Sequence, residues 1–481
     1  MSANPMADFL EEVGESGAPK EDPEKNKAMA DQRCGIVLLA GAHSCSDKKT
    51  DVGMQLEGPQ VLPGIDDAVK CYSSSSSSFF FIQRKNGELL GCGSNTSGQL
   101  GLGNTNPQWL PVKVPLEKIV PKIDVKQVST GKAHTMILST TGKLYATGSN
   151  MAGASFGGQL GLPSQRTETH NFHLIGGFSN SPVRDIAAGH FHSLCCLNDG
   201  KVYSWGHPEY GTLGHGTTGV YIREGGKGAK EVYDCVDKPM QITKFVRKDG
   251  KTQRVTHEFS ADDIKVRCVA AGKNHSAIVE DWESGKGYNR VFTFGMGAYG
   301  RLGHSWSHDE LFPRELMSFS EYNRDTMTVS MPMRTRAVRK VLCSQTVTLA
   351  VVESGGLYHW GKMANAARGE ATMYPTFMND MATMEVNPDR VCCGSTNIVG
   401  FTDCAVAWGV GKVGYEGGLK SSIVPKYLVE EIQEVLSTAS GEGPQIMVTV
   451  SDTKHFPKFS AETTDAAADV EDGPQKKKAK K

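Results

Sequence analysis

Gly98-Gln99-Leu100-Gly101 decides the fold of this chain, because close copies of it recur at a fixed place in a longer pattern. The copies are Gly158-Gln159-Leu160-Gly161, Gly211-Thr212-Leu213-Gly214 and Gly300-Arg301-Leu302-Gly303. Each copy follows an alternating, strand-like segment that ends in a glycine. A phrase that recurs in this way indicates a repeat architecture, which has to be recognised before single motifs are interpreted.

A second motif, a glycine followed by two residues and a histidine, sets the register of the repeats. It occurs at Gly131/His134, Gly189/His192 and Gly272/His275. A spacing of fourteen residues to the strand-ending glycine is shared by His134/Gly148, His192/Gly206, Phe79/Gly93 and Val347/Gly361. The copy at His275/Gly295 is longer and the copy at Asn397/Gly409 is shorter. Six repeat units follow from this register.

Each unit reads as a small antiparallel sheet. Segments such as 143–147 (KLYAT) and 201–205 (KVYSW) have the period-two pattern of short strands rich in aromatic and branched residues. Asn86-Gly87 and Asp199-Gly200 precede strands and predict two-residue hairpin turns with positive φ at both residues. One such sheet cannot bury its faces, but sheets stacked around an axis can, and this predicts a β-propeller.

The two ends of the repeat region look like halves of one more unit. Residues 34–42 (CGIVLLAGA) resemble the outer part of a unit, and residues 445–450 (QIMVTV) resemble an inner strand. Pairing them would remove the edge strands of an open stack. We therefore predict an all-β, seven-bladed propeller at 34–451, closed by a blade shared between the two ends, with disordered segments at 1–33 and 452–481.

The glycine–histidine spacing and the Gly-Gln-Leu-Gly turns resemble the regulator of chromosome condensation family of seven-bladed propellers, over about residues 34–451. The stretches 207–215 and 297–304 are closest to the second paralogue of that family. The resemblance implies binding of a Ran-, Rac-, Ral- or Arf-type small GTPase, with guanine-nucleotide exchange as an activity. It also implies association with chromatin or microtubules and a role in mitosis. The alternative is a structural scaffold on chromatin or microtubules without exchange activity.

Two matching loops supply the candidate contact residues. His207, Glu209 and Tyr210 follow Gly206, and Tyr299 and Arg301 occupy the matching loop two units of sequence later. Tyrosine and arginine on rigid loops are favoured anchors of protein interfaces. The competing interpretation is that these side chains pack between blades. The insertion at about 217–263 is either an elaborated blade, which we favour, or a hairpin that grips a partner.

Motifs for catalysis, metals and cofactors carry little weight here. Gly295-x-Gly297-x-x-Gly300 matches the dinucleotide fingerprint, as does 409–414, but loop sequences follow both where a helix is required. His134, His192 and His275 occupy one register in different units, which favours packing over a shared metal site. His304 and His308 are a weak second metal candidate. We expect a non-enzymatic protein without metal or cofactor.

Composition and the chain ends bear on location. The net charge is −1 and no run of about 20 apolar residues occurs, so neither a nucleic-acid field nor membrane insertion is expected. The six serines at 73–78 predict a flexible connection. A lysine cluster closes the chain and is expected to engage an import receptor, which predicts a protein of nucleus and cytoplasm. The cluster consists of Lys476, Lys477, Lys478, Lys480 and Lys481.

Overall fold

The structure is a computed structural model in which the described regular elements are β-strands and one-turn 3₁₀ helices. It describes residues 33–459 except 45–52, 57–58, 120–122, 163–165, 179, 224–229, 282–288, 318, 324–327, 334–336, 354, 364–370, 379–386, 396–397, 402–406, 411–431 and 443. The 3₁₀ helices are Leu116–Lys118, Glu209–Gly211, Ala261–Asp263, Ala298–Gly300, Pro388–Arg390 and Thr453–His455. No described helix is long and apolar enough to span a bilayer.

The first three described strands belong to a sheet whose remaining strands come from residues 432–451. They are β1 (Ile36–Ser44), β2 (Gly53–Gln55) and β3 (Gln60–Val61). β1 pairs with both of the others in antiparallel fashion.

Six sheets then follow, each from one continuous stretch of chain, and we call them blades 1 to 6. Blade 1 contains β4 (Ala68–Tyr72), β5 (Phe79–Arg84), β6 (Leu89–Gly93) and β7 (Gln108–Lys113). Blade 2 contains β8 (Val125–Thr130), β9 (His134–Ser139), β10 (Leu144–Ser149) and β13 (Glu168–Ile175), with a small hairpin of β11 (Met151–Ala152) and β12 (Ser155–Phe156). Blade 3 contains β14 (Val183–Ala188), β15 (His192–Leu197), β16 (Val202–Gly206) and β19 (Val236–Gln241), with a hairpin of β17 (Val220–Arg223) and β18 (Lys230–Tyr233).

Blades 4 and 5 are larger and blade 6 is smaller. Blade 4 contains β20 (Lys244–Lys248), β21 (Val255–Ser260), β22 (Val266–Ala271), β23 (His275–Glu280), β24 (Val291–Gly295) and β25 (Glu310–Glu315). Blade 5 contains β26 (Phe319–Asn323), β27 (Thr328–Met333), β28 (Val338–Cys343), β29 (Val347–Val352), β30 (Leu357–Gly361) and β31 (Thr372–Phe377). Blade 6 contains β32 (Val391–Cys393), β33 (Ile398–Phe401) and β34 (Ala407–Val410).

The terminal sheet joins both ends of the repeat region. β35 (Ile432–Ser440) pairs with β36 (Pro444–Ser451), and β36 pairs with β1 from Ile36↔Thr449 to Gly41↔Pro444. The prediction of an all-β propeller is therefore confirmed, but the number of blades that are continuous in sequence is six, not seven. The terminal sheet is a composite, since its strands come from residues far apart in the chain.

The repeated Gly-x-Leu-Gly turn has a physical reason in each blade. Its leucine is buried, as Leu100 and Leu160 show at 0% exposure. Its second glycine has positive φ and lies against an aromatic ring of the next blade, so that a Cβ on Gly161 would lie 2.7 Å from Trp205 Nε1. The same relation joins Gly214 to Phe294. The motif is thus a device for packing one blade on the next.

The hairpin turns differ in detail from the prediction. Gly87 and Gly200 have positive φ, at 82° and 88°, but among the described residues Asn86 and Asp199 do not. Their side chains accept hydrogen bonds instead, from Glu88 N–H at 2.9 Å and Lys201 N–H at 3.1 Å. Only the glycine needs the left-handed region, because the side chain holds the first residue in an ordinary turn.

The insertion at 217–263 divides between two blades, and this favours an elaborated blade for most of its length. The chain passes from one blade to the other within it: β19 ends at Gln241 in blade 3, and β20 begins at Lys244 in blade 4. The β20–β21 hairpin joins blade 4 through parallel pairing of Val246 with Arg314. The rest of the insertion forms the separate β17–β18 hairpin.

Candidate interaction face

In blades 2 to 5, the turn before the strand that begins at the register residue and the turn after the following strand lie on one side of the molecule. Ser149 N–H donates to Ala133 O at 2.7 Å in blade 2, and His207 N–H donates to Phe191 O at 2.9 Å in blade 3. All five predicted contact residues lie in turns on this side, after β16 in blade 3 and after β24 in blade 4. We call this side, which carries Tyr210 and Tyr299, the tyrosine face.

Tyr210 and Tyr299 have a left-handed backbone, with φ of 62° and 63°. Each is the middle residue of a one-turn 3₁₀ helix, Glu209–Gly211 in blade 3 and Ala298–Gly300 in blade 4. A residue with a Cβ is disfavoured there by about 1–2 kcal/mol because the Cβ crowds the following carbonyl. Strain of this kind collects at functional sites, so the two tyrosines mark the face as a candidate.

His207 and Glu209 hold their loop to the β17–β18 hairpin. The rings of His207 and Tyr233 have centroids 4.5 Å apart, and the Tyr233 hydroxyl donates to Glu209 Oε1 at 3.2 Å. Burial lowers the pKa of His207, so its ring is neutral at pH 7. Burial and the nearby Glu209 raise the pKa of Tyr233 to about 12. Both predicted residues therefore anchor the loop before any partner arrives.

Arg301 is only 3% exposed and joins two blades, which agrees with the packing interpretation. Its Nε–H donates to Ala298 O at 2.8 Å, and its NH1 donates to Gln345 O in the next blade at 2.7 Å. Burial lowers the pKa of Arg301 to about 10, so the guanidinium keeps its charge at pH 7. Arg301 offers little surface to a partner and instead supports Tyr299.

Tyr299 is the exposed member of the second loop, at 48% exposure. The guanidinium of Arg301 and the ammonium of Lys362 each lie 5.5 Å from its ring centroid. Tyr210 lies near the same arginine, because the charge of Arg301 opposes the rise that burial causes in the pKa of Tyr210. The structure thus brings the two predicted loops together around one buried arginine.

The β17–β18 hairpin stands beside the Tyr210 loop and exposes apolar side chains. All four β17 residues are exposed, including Tyr221 at 50% and Ile222 at 69%. Its base is fixed, since Asp234 N–H donates to Gly219 O at 2.8 Å and Gly219 lies against Pro208. An anchored hairpin with exposed apolar residues is typical of a protein contact site. The sequence held this signal in the Val-Tyr-Ile run at 220–222.

The three register histidines link neighbouring blades and do not share a site. Their Nε2 atoms lie 3.1, 2.9 and 2.9 Å from a hydroxyl oxygen of the following blade, in the pairs His134/Ser193, His192/Ser276 and His275/Thr348. Each hydroxyl donates its proton to the x carbonyl of a Gly-x-Leu-Gly turn, as Ser193 does to Gln159 O at 2.8 Å. The histidine must therefore donate from Nε2. We call this arrangement the blade relay.

The other chemical motifs have structural roles as well. His304 Nε2 lies 2.8 Å from Thr293 Oγ1, and the His308 ring stacks on Trp306. The described residues contain no cluster of histidine, cysteine and acidic side chains that could hold a metal ion. After Gly297 comes the one-turn helix Ala298–Gly300, too short to hold a pyrophosphate at its N-terminus. The match at 409–414 and the lysine cluster lie largely or wholly outside the described residues.

The serine run is the feature that sequence reasoning missed. Ser75, Ser76 and Ser77 are 2%, 1% and 0% exposed, so this loop is packed and the predicted flexible connection is wrong. Ser77 accepts Glu442 N–H at 2.8 Å, and Ser75 O accepts from Gln345 Nε2 at 3.4 Å. Because blades 1 and 5 are not neighbours, the loop crosses the centre of the molecule on the tyrosine face. We call residues 73–78 the serine loop.

Comparison with known families agrees with the repeat pattern. A model described as "Regulator of chromosome condensation (RCC1) repeat" matches residues 86–138, 199–279 and 288–351. A second model of the same description matches 125–153 and 183–212.

Two curated relatives show the same kinship. Protein RCC2 of Homo sapiens is 30% identical over 375 residues, which are 76% of this chain and 64% of that protein. The Protein RCC2 homolog of Danio rerio is 28% identical over 431 residues, covering 86% of this chain and 79% of the relative. The chain thus spans slightly less than two thirds of the human relative it matches.

Solved structures share the fold. Human WBSCR16 superposes with a TM-score of 0.62 at 19% identity, covering 87% of this chain and all of that one. Prp20p of Saccharomyces cerevisiae, studied for its binding to Gsp1p and histones, has a TM-score of 0.59 at 16% identity, covering 92% and 97%. Yeast RCC1 (Prp20) in complex with Kap60 has a TM-score of 0.60 at 16% identity, covering 96% and 98%. At these identities the likeness shows the fold alone.

Proposed function

The chain belongs to the family of proteins built from regulator of chromosome condensation repeats, and from this premise we propose that it binds a Ras-superfamily small GTPase through its tyrosine face. Binding there is non-covalent, and nucleotide exchange is the activity it supports. The alternative is a scaffold on chromatin or microtubules that has no exchange activity.

One observation carries the proposal: the tyrosine face combines strained, supported tyrosines with an exposed apolar hairpin. Tyr299 is held between two cations, and Ile222 stands 69% exposed on a hairpin whose base is hydrogen-bonded. Rigid aromatic anchors beside exposed apolar side chains are the usual composition of an interface centre. The relatives add a class of partner, since Prp20p has been studied for binding to Gsp1p and histones.

Exchange needs no reactive side chain. A protein that binds the nucleotide-free form of a GTPase more tightly than the nucleotide-bound form shifts the population toward nucleotide release. A rigid face that presents fixed anchors suits such differential binding, because little ordering cost is paid on association.

The proposal is tested with GTPases of the Ran, Rac, Ral and Arf types loaded with a fluorescent guanine nucleotide. We expect the chain to bind one of them and accelerate nucleotide release. Ile222→Asp should weaken binding about thirtyfold, as loss of an interface hot spot of about 2 kcal/mol implies. Val255→Asp is the matched control, because Val255 is 47% exposed on the separate β20–β21 hairpin and should leave binding unchanged.

A pair of variants at Tyr299 separates binding from strain. Both Tyr299→Gly and Tyr299→Ala remove the ring and should weaken GTPase binding equally. The glycine variant should be about 1 kcal/mol more stable to denaturant than the alanine variant, since alanine keeps the strained φ. Binding to none of the GTPases, together with co-sedimentation on nucleosomes or microtubules, would instead establish the scaffold alternative.

We further propose that the terminal lysines act as a nuclear import signal, which places the protein in nucleus and cytoplasm. The yeast relative has been solved bound to Kap60, which supports an import receptor as partner. Changing Lys476, Lys477 and Lys478 to Ala should leave thermal stability unchanged but move a fluorescently tagged protein toward the cytoplasm. Unchanged localisation of the triple variant would rule out this signal.

The terminal sheet supports a proposal for ring closure as a seventh blade. Alternate β1 residues pack in opposite directions: Ile36 and Leu38 share a cluster with Val399 of blade 6, and Val37 and Leu39 share one with Phe80 of blade 1. Arg390 also bonds to Glu434 of β35 at 3.4 Å. Packing of the terminal sheet against both the last and the first blade supports this proposal.

A further inference from the structure

A central cavity of about 250 Å³ lies beneath the serine loop, away from the interface proposed above. One strand of every blade contributes to its wall, as does β35 of the terminal sheet; the blade strands are β4, β8, β14, β22, β28 and β32. The serine loop crosses one end, since Ser75 lines the cavity while bonding to Cys343 O and Gln345 across the centre. The cavity is therefore closed toward the tyrosine face by the chain's own loop.

Two polar side chains of the wall, Ser440 and Lys340, have no acceptor partner among the described residues. Ser440 is 2% exposed, and its buried hydroxyl has no hydrogen-bond partner in the described structure. Lys340 also lines the cavity, and its ammonium makes no hydrogen bond or ion pair with another described residue. A buried hydroxyl without a partner costs about 1–3 kcal/mol, so a group that accepts its proton would relieve that cost.

The charge of the wall is positive. Among the described residues that line the cavity there is no aspartate or glutamate. Lys70 lies nearby with its ammonium 5.1 Å from the Tyr72 ring centroid, and its charge acts on that of Lys340. Asp185, which precedes the lining residue Ile186, is an acidic residue close to Lys70. Its Oδ2 accepts a hydrogen bond from Val269 N–H at 2.9 Å. Burial raises the pKa of Asp185.

The size of the cavity limits the ligand. A water molecule occupies about 30 Å³, so the cavity holds several waters or one small ion with its hydration. Drug-sized ligands occupy pockets of about 300–1,000 Å³, so this smaller cavity suits a smaller ligand. Donor groups, positive charge and this volume together suit a small oxyanion.

We propose that the central cavity binds a small tetrahedral oxyanion, held by the Lys340 ammonium and the Ser440 hydroxyl. Lys340 belongs to blade 5 and Ser440 to β35, so the bound anion bridges blade 5 and the terminal sheet. The serine loop bars its exit toward the tyrosine face. This inference is independent of GTPase binding.

The experiment measures inorganic phosphate binding to the full chain by titration calorimetry, with sodium chloride added to keep ionic strength constant. We expect saturable binding that Lys340→Met weakens at least tenfold, equal to about 1.4 kcal/mol. Ser440→Ala should weaken it severalfold. Lys143→Met removes the same charge from an exposed hairpin and should bind like the parent.

Folding of the variants is checked separately by thermal unfolding without phosphate. Lys340→Met should unfold at or above the parent's temperature, since it relieves repulsion from Lys70 without breaking a described bond. Phosphate should then raise the unfolding temperature of the parent and of Lys143→Met but not of Lys340→Met. Absence of saturable phosphate binding by the folded parent, or equal binding by Lys340→Met, would overturn the proposal.

Discussion

At the residue scale, the blade relay explains why glycine and histidine recur together. A Cβ on Gly131 would lie 2.1 Å from His134 Cε1, so the ring needs the glycine beside it. The ring then donates to Ser193, whose own proton is committed to Gln159 O. The histidine ring, the serine hydroxyl and the turn carbonyl, which come from two neighbouring blades, are thus hydrogen-bonded to one another. Each histidine therefore links two blades and is held in one tautomer.

The relay predicts acid sensitivity. Burial lowers the pKa of His134 and of His192 to about 3, below the ordinary value of 6.5. The unfolded chain takes up these protons first, so stability is full above pH 6.5 and is lost as pH falls toward 3. Between pH 7.5 and 5.0 each ring should cost about 2 kcal/mol, measured by urea denaturation at both pH values.

His134→Phe provides the comparison for that measurement, since blade 1 carries Phe79 at the same register. The variant should be less stable at pH 7.5 but should lose about 2 kcal/mol less between pH 7.5 and 5.0. An unchanged acid loss would show that the ring does not titrate as its burial requires.

The sequence predicted the histidines of the blade relay well and the residues of the tyrosine face less well. The fourteen-residue spacing identified these histidines because each one must occupy the same repeat position to reach the hydroxyl of the next blade. The strain at Tyr210 and Tyr299 could not be foreseen, since bulky residues normally avoid positive φ. Arg301 was predicted as a contact residue, yet it is buried. Its guanidinium donates a hydrogen bond to the backbone carbonyl of Gln345 in the next blade.

At the element scale, a buried ionic network fastens the β20–β21 hairpin to blade 4. Glu310 accepts from Lys248 Nζ at 2.5 Å and from Arg314 NH1 at 2.7 Å. Glu315 accepts two hydrogen bonds from Arg247, at 2.8 and 3.1 Å. Glu310, Arg314 and Glu315 are each 4% exposed or less, so these bonds lie where the hairpin meets the blade.

Removing Glu310 should release the hairpin. Glu310→Ala leaves the Arg314 charge buried with only Gln253 as a side-chain partner among the described residues, at 2.8 Å. Loss of one partner from a buried pair typically costs about 3–5 kcal/mol, and we expect that loss in denaturant unfolding. Hydrogen exchange should rise first in β20 and β21.

The Lys244–Glu258 pair is the control within the same hairpin. Its side chains are 37% and 57% exposed, so Glu258→Gln should change stability by less than about 1 kcal/mol. A similar loss for both variants would show that burial does not govern this network.

Elements were predictable where the repeat continued and not where it was interrupted. The strands around Tyr145 and Tyr203 follow directly from alternation, because one blade predicts the next. The insertion at 217–263 has no second copy in the sequence. The point at which the chain passes from blade 3 to blade 4, after Gln241, could therefore not be predicted. The serine loop was misjudged because its polar side chains are buried against backbone groups of distant blades.

At the scale of the whole molecule, the terminal sheet depends on β1. Deleting residues 1–45 removes that strand and leaves both β36 and the clusters of blades 1 and 6 uncovered. We expect this truncation to prevent cooperative thermal unfolding, and deletion of 1–30 to leave the unfolding temperature within 1–2 °C, which about 0.5 kcal/mol would produce. Cooperative unfolding of the longer truncation at the parent's temperature would contradict ring closure.

The blade relay also has a direction, and this matters while the chain is being made. In every relay the hydroxyl comes from the blade that is later in sequence, as Ser276 completes His192 and Thr348 completes His275. During synthesis from the N-terminus, a newly emerged blade therefore carries an unsatisfied histidine and turn carbonyl until the next blade leaves the ribosome. At each stage the most recently completed blade of the nascent protein has unpaired relay groups. β1 remains without its partner β36 for longest, because β36 is among the last described strands to be translated.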